Sequence, residues 1–216
     1  MTVTAVVFDM DGLMFDTERL ARDAWRRAMA EHDYTLSDDL YLTVVGRTLE
    51  DTCRLFVETL GPALPIADIE AARVRYLGEM LEPGAPLKPG LPALLDGFDD
   101  LGLPMAVASS TARGEVERRL AGVGLRERFR ATVGGDEVTH GKPAPDLFLL
   151  AAERLGAASD QCLVLEDSEA GVQAAASAGM TTVMVPDLVP PSQAAISRAA
   201  AVVPSLSHVL GVLSGL

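Results

Sequence analysis

Val3-Thr4-Ala5-Val6-Val7-Phe8-Asp9-Met10-Asp11-Gly12 is the stretch on which the reading of the fold turns. Apolar and β-branched residues run from Val3 to Phe8, and the run stops at two aspartates and a glycine. A short apolar run closed by a turn signal reads as a strand buried on both faces of a parallel sheet.

Four more such runs follow, at Met105 to Ala108, Ala131 to Val133, Cys162 to Leu165 and Thr181 to Val185, with helical patterns between them. Strands alternating with helices predict an open, doubly wound α/β sheet, in which ligands gather beyond the carboxyl ends of the strands. From Asp16 to about Leu81 this rhythm breaks. Apolar positions there recur at helical spacing (Leu20, Ala24, Trp25, Ala28; Leu55, Phe56, Thr59, Leu60), and no strand pattern is found. The expected organisation is an α/β core of residues 1–15 and 83–216 carrying an inserted all-helical domain, 16–82. Glu82-Pro83-Gly84-Ala85-Pro86 is the stiff return, Pro89-Gly90-Leu91-Pro92 opens the next helix, and the two crossings near Phe15 and Pro83 would make a hinge.

The 216 residues are 49% hydrophobic and 23% charged, a composition that folds throughout. A net charge of -13 argues against a nucleic-acid partner, which needs clustered Lys and Arg. No apolar run approaches the roughly 18 residues of a membrane span, and Met1 leads into Val3 with no basic leader, so a cytoplasmic protein away from membranes is expected. Cys53 and Cys162 lack CxxC spacing and read as small hydrophobes in a reducing compartment. His32, His140 and His208 are scattered without ligand spacing, Trp25 is expected inside the helical insert, and Asp96, Asp99 and Asp100 on a solvated helix face. Nothing in the sequence calls for assembly beyond a monomer or weak dimer.

Each predicted strand end carries polar residues. Asp9 and Asp11, two apart on an extended chain, share a face. Their repulsion is relieved by a cation or a shared proton, though Asp-Gly is also an ordinary turn. Ser109-Ser110-Thr111 after the second run is either an anion seat or an N-cap cluster for a helix near Arg113. In Gly141-Lys142-Pro143-Ala144-Pro145-Asp146 the prolines restrict the backbone around a lysine that could neutralise phosphoryl charge or simply be solvated. Glu166-Asp167-Ser168 ends the fourth run, with Ser168 placed to cap a small-residue helix that Gly179 terminates. Oxygen ligands from separate strand ends suit a hard cation such as Mg²⁺.

Taken jointly, over essentially the full length, these motifs resemble the haloacid dehalogenase superfamily of phosphatases, and within it the β-phosphoglucomutase-like group. The residues that carry the likeness are Val6-Val7-Phe8-Asp9-Met10-Asp11-Gly12, Asp16-Thr17-Glu18, Val107-Ala108-Ser109-Ser110, Gly141-Lys142-Pro143-Ala144-Pro145-Asp146-Leu147-Phe148 and Leu165-Glu166-Asp167-Ser168-Glu169-Ala170-Gly171. Dehalogenases lack the second aspartate of the first motif; Asp11 is present, so the resemblance implies phosphoryl transfer. It implies Asp9 as nucleophile, Asp11 as general acid and base, and Lys142, Ser109 and the N–H groups of Met10 and Ser110 as partners of the phosphoryl oxygens. Mg²⁺ would be held by Asp9, the main-chain carbonyl of Asp11 and Asp167, with Glu166 close or bound through water. The insert would be a cap closing over a small phosphorylated metabolite, with Thr17, Glu18, Gly46, Arg47 and Tyr76 as candidates for substrate contact, although Arg47 and Tyr76 also read as plain surface positions.

Two other readings stay open beside a phosphatase. A phosphomutase of the β-phosphoglucomutase type carries a histidine and an arginine in its cap where an ungapped match places Ala21 and Leu49, and both departures favour hydrolysis. A non-catalytic phosphate-binding module, like a receiver domain with its acidic pocket and lysine, would be much shorter and would have no insert.

Overall fold

The protein is described here by a computed structural model covering residues 2–81 and 84–215. The chain divides into two compact units, Met1–Phe15 with Pro86–Leu216, and Asp16–Ala85. The return expected at Glu82 and Pro83 lies outside the described residues.

The first unit is built on a parallel sheet. Among the described residues it has six strands, β1 (Ala5–Phe8), β2 (Met105–Ala108), β3 (Ala131–Val133), β4 (Cys162–Glu166), β5 (Thr181–Met184) and β6 (Ala201–Val202), in the order β3-β2-β1-β4-β5-β6. The five runs read from the sequence are five of these strands. The sixth, only two residues long at the sheet edge, is too short to leave a pattern. Central β1 pairs with β2 and β4, matching Phe8 to Val107 and to Leu165. That register brings Asp9, Ala108-Ser109 and Glu166 out of the sheet at one level, with the Asp9 N–H donating to the Leu165 carbonyl.

The second unit is helical: α1 (Thr17–Ala30), α2 (Asp38–Leu42), α3 (Leu49–Leu60) and α4 (Ile66–Leu81). Ser37 and Thr48 cap α2 and α3 by accepting the N–H groups of Leu40 and Asp51. Ala24, Trp25, Ala28 and Met29 of α1 are buried with Phe56 and Ile69, and Trp25 meets Phe56 edge to face at 5.1 Å between centroids. Leu20 and Leu55 are half-buried and Thr59 is exposed, so the apolar stripe is narrower than the sequence spacing suggests.

The remaining helices cover the sheet: α5 (Leu91–Asp100), α6 (Arg113–Gly122), α7 (Asp146–Leu155), α8 (Glu169–Ser177), α9 (Gln193–Arg198) and α10 (Val209–Val212). On one face Ala5 and Val7 join Ala106, Ala108, Val133 and Val164 against Leu147, Phe148 and Ala151 of α7 and Ala174 and Ala175 of α8. On the other, Phe8 packs edge to face against Phe98 of α5 at 5.9 Å and Phe129 at 5.7 Å. Apolar side chains of β1 are thus needed on both faces, as in any doubly wound sheet. Gly90 is the N-cap of α5, with Pro92 in its first turn.

Phe8 is fully buried between two aromatic rings and directly precedes Asp9. Phe8→Ala should lower unfolding free energy by about 3–5 kcal/mol, measured by urea denaturation; a loss under about 1 kcal/mol would show that this ring does not anchor the central strand.

Candidate active site

Asp9, Glu166 and Asp167 come together at the carboxyl ends of β1 and β4, Glu166 as the last residue of β4. They offer carboxylate oxygens within 4.8 Å of one another. Lys142 faces them, its Nζ donating to Asp9 Oδ1 at 2.5 Å and to Glu166 Oε1 at 2.7 Å, with the Ala108 carbonyl at 3.4 Å. The ammonium also lies 4.9 Å from the centre of the Phe148 ring, a cation–π contact under a desolvated charge. Lysine and prolines together make this loop a fixed arm rather than a solvated one.

The local sequence explains why the acids fit. Glu166 is fully buried, and its second oxygen accepts the Ser168 N–H at 2.8 Å and the Ser168 hydroxyl at 2.9 Å. Ser168 caps α8 through the Gly171 N–H at 3.0 Å, so cap and carboxylate are locked to one residue. A Cβ on Gly171 would fall 1.7 Å from Glu166 Oε1. Gly12, with φ of +85°, is required twice over, because a Cβ there would also fall 2.2 Å from Asp167 Oδ2.

Three carboxylates around one ammonium leave two negative charges unmatched when all are ionised. Burial, with Glu166 and Asp11 adding to it, outweighs Lys142 and pushes the Asp9 carboxyl up to about 8. Burial and the charges of Glu166 and Asp9 likewise hold Asp167 well above the carboxylate range. For Lys142 burial works toward the neutral amine, but Asp9 and Glu166 overcome it and keep the ammonium charged. The excess negative charge and the all-oxygen donor set fit a hard divalent cation such as Mg²⁺.

Asp11 stands apart from this triad. Its Oδ2 accepts from the Thr111 hydroxyl at 2.8 Å and its Oδ1 from Arg119 Nη1 at 2.6 Å. Ser109 is buried, its Oγ accepting the Thr111 N–H at 3.1 Å, whereas Ser110 is exposed. The Ser-Ser-Thr cluster therefore does not cap α6, whose N-cap is Ala112 with no side-chain bond. Met10 is buried, its carbonyl accepting from Met14 and Phe15. In the sequence Thr111 stands only as the last hydroxyl of a cluster that reads as an anion seat or a cap, so its bond to Asp11 is not foreseen. Arg119 is one arginine among several and carries no local signal.

The five candidates from the insert stand in the helical unit. Thr17, the first residue of α1, is buried, and its hydroxyl makes no hydrogen bond among the described residues. A carboxylate oxygen of Glu18 accepts from the Tyr41 hydroxyl at 3.4 Å. Gly46 adopts φ of +77° with open space around it, and exposed Arg47 donates from Nε to the Thr43 carbonyl at 2.7 Å. The Tyr76 hydroxyl is bound to Glu31 and its ring is covered by Arg75 at 4.4 Å, contacts that belong to a surface position.

Residues 3–179 match the haloacid dehalogenase-like hydrolase family. The chain is 33% identical over 184 residues to the phosphorylated carbohydrates phosphatase of Thermotoga maritima, covering 82% of each chain. It is 37% identical over 192 residues to the fructose-1-phosphate phosphatase YqaB of Escherichia coli K12, covering 83% of this chain and 95% of that one. A crystal structure of a hydrolase of the same family from Deinococcus radiodurans R1, with bound phosphate and sodium, superposes with a TM-score of 0.86 at 27% identity over 99% of this chain and 96% of that one. With the acidic triad, the lysine arm and the doubly wound sheet in place, the chain belongs to the haloacid dehalogenase-like hydrolases.

Proposed function

We propose that this protein is a Mg²⁺-dependent phosphatase of small phosphorylated metabolites, sugar phosphates foremost, working through an aspartyl-phosphate on Asp9. The observation that carries the reading is the buried Asp9 carboxylate held against Lys142 at the mouth of the sheet. A carboxylate so fixed is a pre-aligned nucleophile, and alignment with charge neutralisation is most of what phosphoryl transfer asks of a protein.

An Asp9 oxygen attacks phosphorus as the bond to the leaving oxygen breaks, and Asp11 gives that oxygen a proton. Water then attacks the aspartyl-phosphate, Asp11 takes the proton back, and inorganic phosphate leaves with Asp9 restored. Splitting one displacement into two lowers each barrier, and a placed acid and base contributes about 10² to 10⁴ in rate. Lys142 neutralises charge on the transferred group, and Ser109 with the N–H groups of Met10 and Ser110 would bind its oxygens. Asp9, Asp167 and the Asp11 carbonyl would hold Mg²⁺, with Glu166 alongside; when bound, the ion supplies positive charge against the phosphoryl oxygens.

Glu166 already accepts from Lys142 and Ser168, which supports a role nearer to orienting the lysine than to direct ligation. Hydrolysis is favoured over a mutase by Ala21 and Leu49, neither of which can supply the cap histidine and arginine that the mutase resemblance calls for. The sugar-phosphate preference draws on what the two phosphatases above are named for. The helical unit would act as the cap, with Thr17, Glu18, Gly46, Arg47 and Tyr76 as its candidate contacts. A cytoplasmic setting is part of this reading; no described helix is long and apolar enough to cross a membrane.

Asp9→Asn should cut phosphate release from a panel of sugar phosphates by at least ~10³-fold, since a neutral amide cannot carry the intermediate; activity near wild type would remove Asp9 from the role. A hexose 1-phosphate converted to its 6-phosphate without phosphate release would overturn hydrolysis. Mg²⁺ at about 100 times its Kd, added to chelator-treated protein, should raise Tm by about 5–10 °C and restore turnover, because it binds the folded chain alone. An unchanged Tm would argue that the triad holds no cation.

A further inference from the structure

Both oxygens of Asp11 are engaged by residues outside the motifs that define the family. Arg119 reaches from α6, 108 residues away in sequence, and its side chain is only 17% exposed. The guanidinium is itself fixed. Nε donates at 2.7 Å to Glu115 Oε1, one turn earlier on the same helix, while Nη1 donates to Asp11 Oδ1. A planar fork pinned at two edges has little rotational freedom. The hydroxyl of Thr111 takes the other oxygen of Asp11.

An aspartate two residues after Asp9, with neither oxygen anchored, would be drawn toward Lys142 and toward any cation in the triad. In the structure its carboxylate is turned to α6 instead, and the acidic cluster forms from Asp9, Glu166 and Asp167 without it. Simple surface pairs contribute little. This one differs in spanning two elements, in being mostly enclosed, and in ending on the proposed proton donor.

We propose that Arg119 is a positioning residue for Asp11, holding its carboxylate on the α6 side of the site so that it exchanges protons with the leaving group instead of joining the metal-binding acids. This rests on the reading of Asp11 as general acid and base given above. Arg119 touches no reacting atom; it acts through Asp11, with Glu115 as its own anchor.

The consequence is a dependence on how badly the leaving oxygen needs a proton. The ratio kcat/KM covers every step through departure of the leaving group and excludes hydrolysis of the intermediate. For a series of aryl phosphates, Arg119→Met should lower kcat/KM for phenyl phosphate by about tenfold or more, and for p-nitrophenyl phosphate, whose phenolate leaves unaided, by less than about threefold. Arg119→Lys should recover part of the loss. Glu115→Gln, which keeps the guanidinium but loosens it, should tilt the series the same way by less, and it carries the test should Arg119→Met fail to fold.

Equal losses across the series, or none, in folded Arg119→Met or in Glu115→Gln would overturn the inference. Asp11→Asn run on the same series separates the two layers. A leaving-group tilt in Asp11→Asn without one in the Arg119 and Glu115 variants defeats the role of Arg119 alone. No tilt in Asp11→Asn defeats the reading of Asp11, and the role of Arg119 with it.

Discussion

A single ammonium group buried among carboxylates is the constraint around which the sheet's carboxyl end is organised. Lys142 bonds to Asp9 from β1 and Glu166 from β4, and so ties a loop to the ends of two adjacent strands. Removing Lys142 from such a buried set costs about 3–5 kcal/mol, because its carboxylate partners are left charged without compensation. In the proposed function these same three groups, expensive to bury, would serve as nucleophile, facing cation and the acid that fixes the cation. Stability is spent at the candidate site, and the covering aromatic and aliphatic layers on both sheet faces make that possible.

The glycines show how closely the site is drawn. Gly12 and Gly171 are not loop fillers; each leaves the space that a carboxylate occupies, Asp167 in one case and Glu166 in the other. A side chain at either position would move a charge rather than merely crowd a turn. Ser168 works similarly, since its hydroxyl both caps α8 and holds Glu166. Helix start and the geometry of the acidic site are then one feature, and a change in either is felt in the other.

Two aspartates separated by one residue have unlike surroundings. Asp9 is enclosed with Lys142 and its carboxyl is pushed up to about 8 by burial, while Asp11 faces α6 through Arg119 and Thr111. Spacing on an extended chain predicts that they share a face, and it is silent on which neighbours each meets. Placing like groups in different environments would let one motif supply both the proposed nucleophile and the proposed proton carrier.

Strand-helix alternation, the succession of helices after Asp16 and the polar residues at the strand ends can be read from the chain alone, because these depend on local pattern and on burial along one run at a time. Five of the six strands, Ser168 as a helix cap and the breaker at Pro89-Gly90 were legible for that reason. The strand order, the short edge strand Ala201–Val202, the separation of Asp11 from the acidic triad and its capture by Arg119 emerge only once the chain is folded. Those rest on contacts between separate elements, Asp11 with Arg119 108 residues further on among them, whose directions are set by helix packing and side-chain rotamers, and no stretch of sequence encodes them alone.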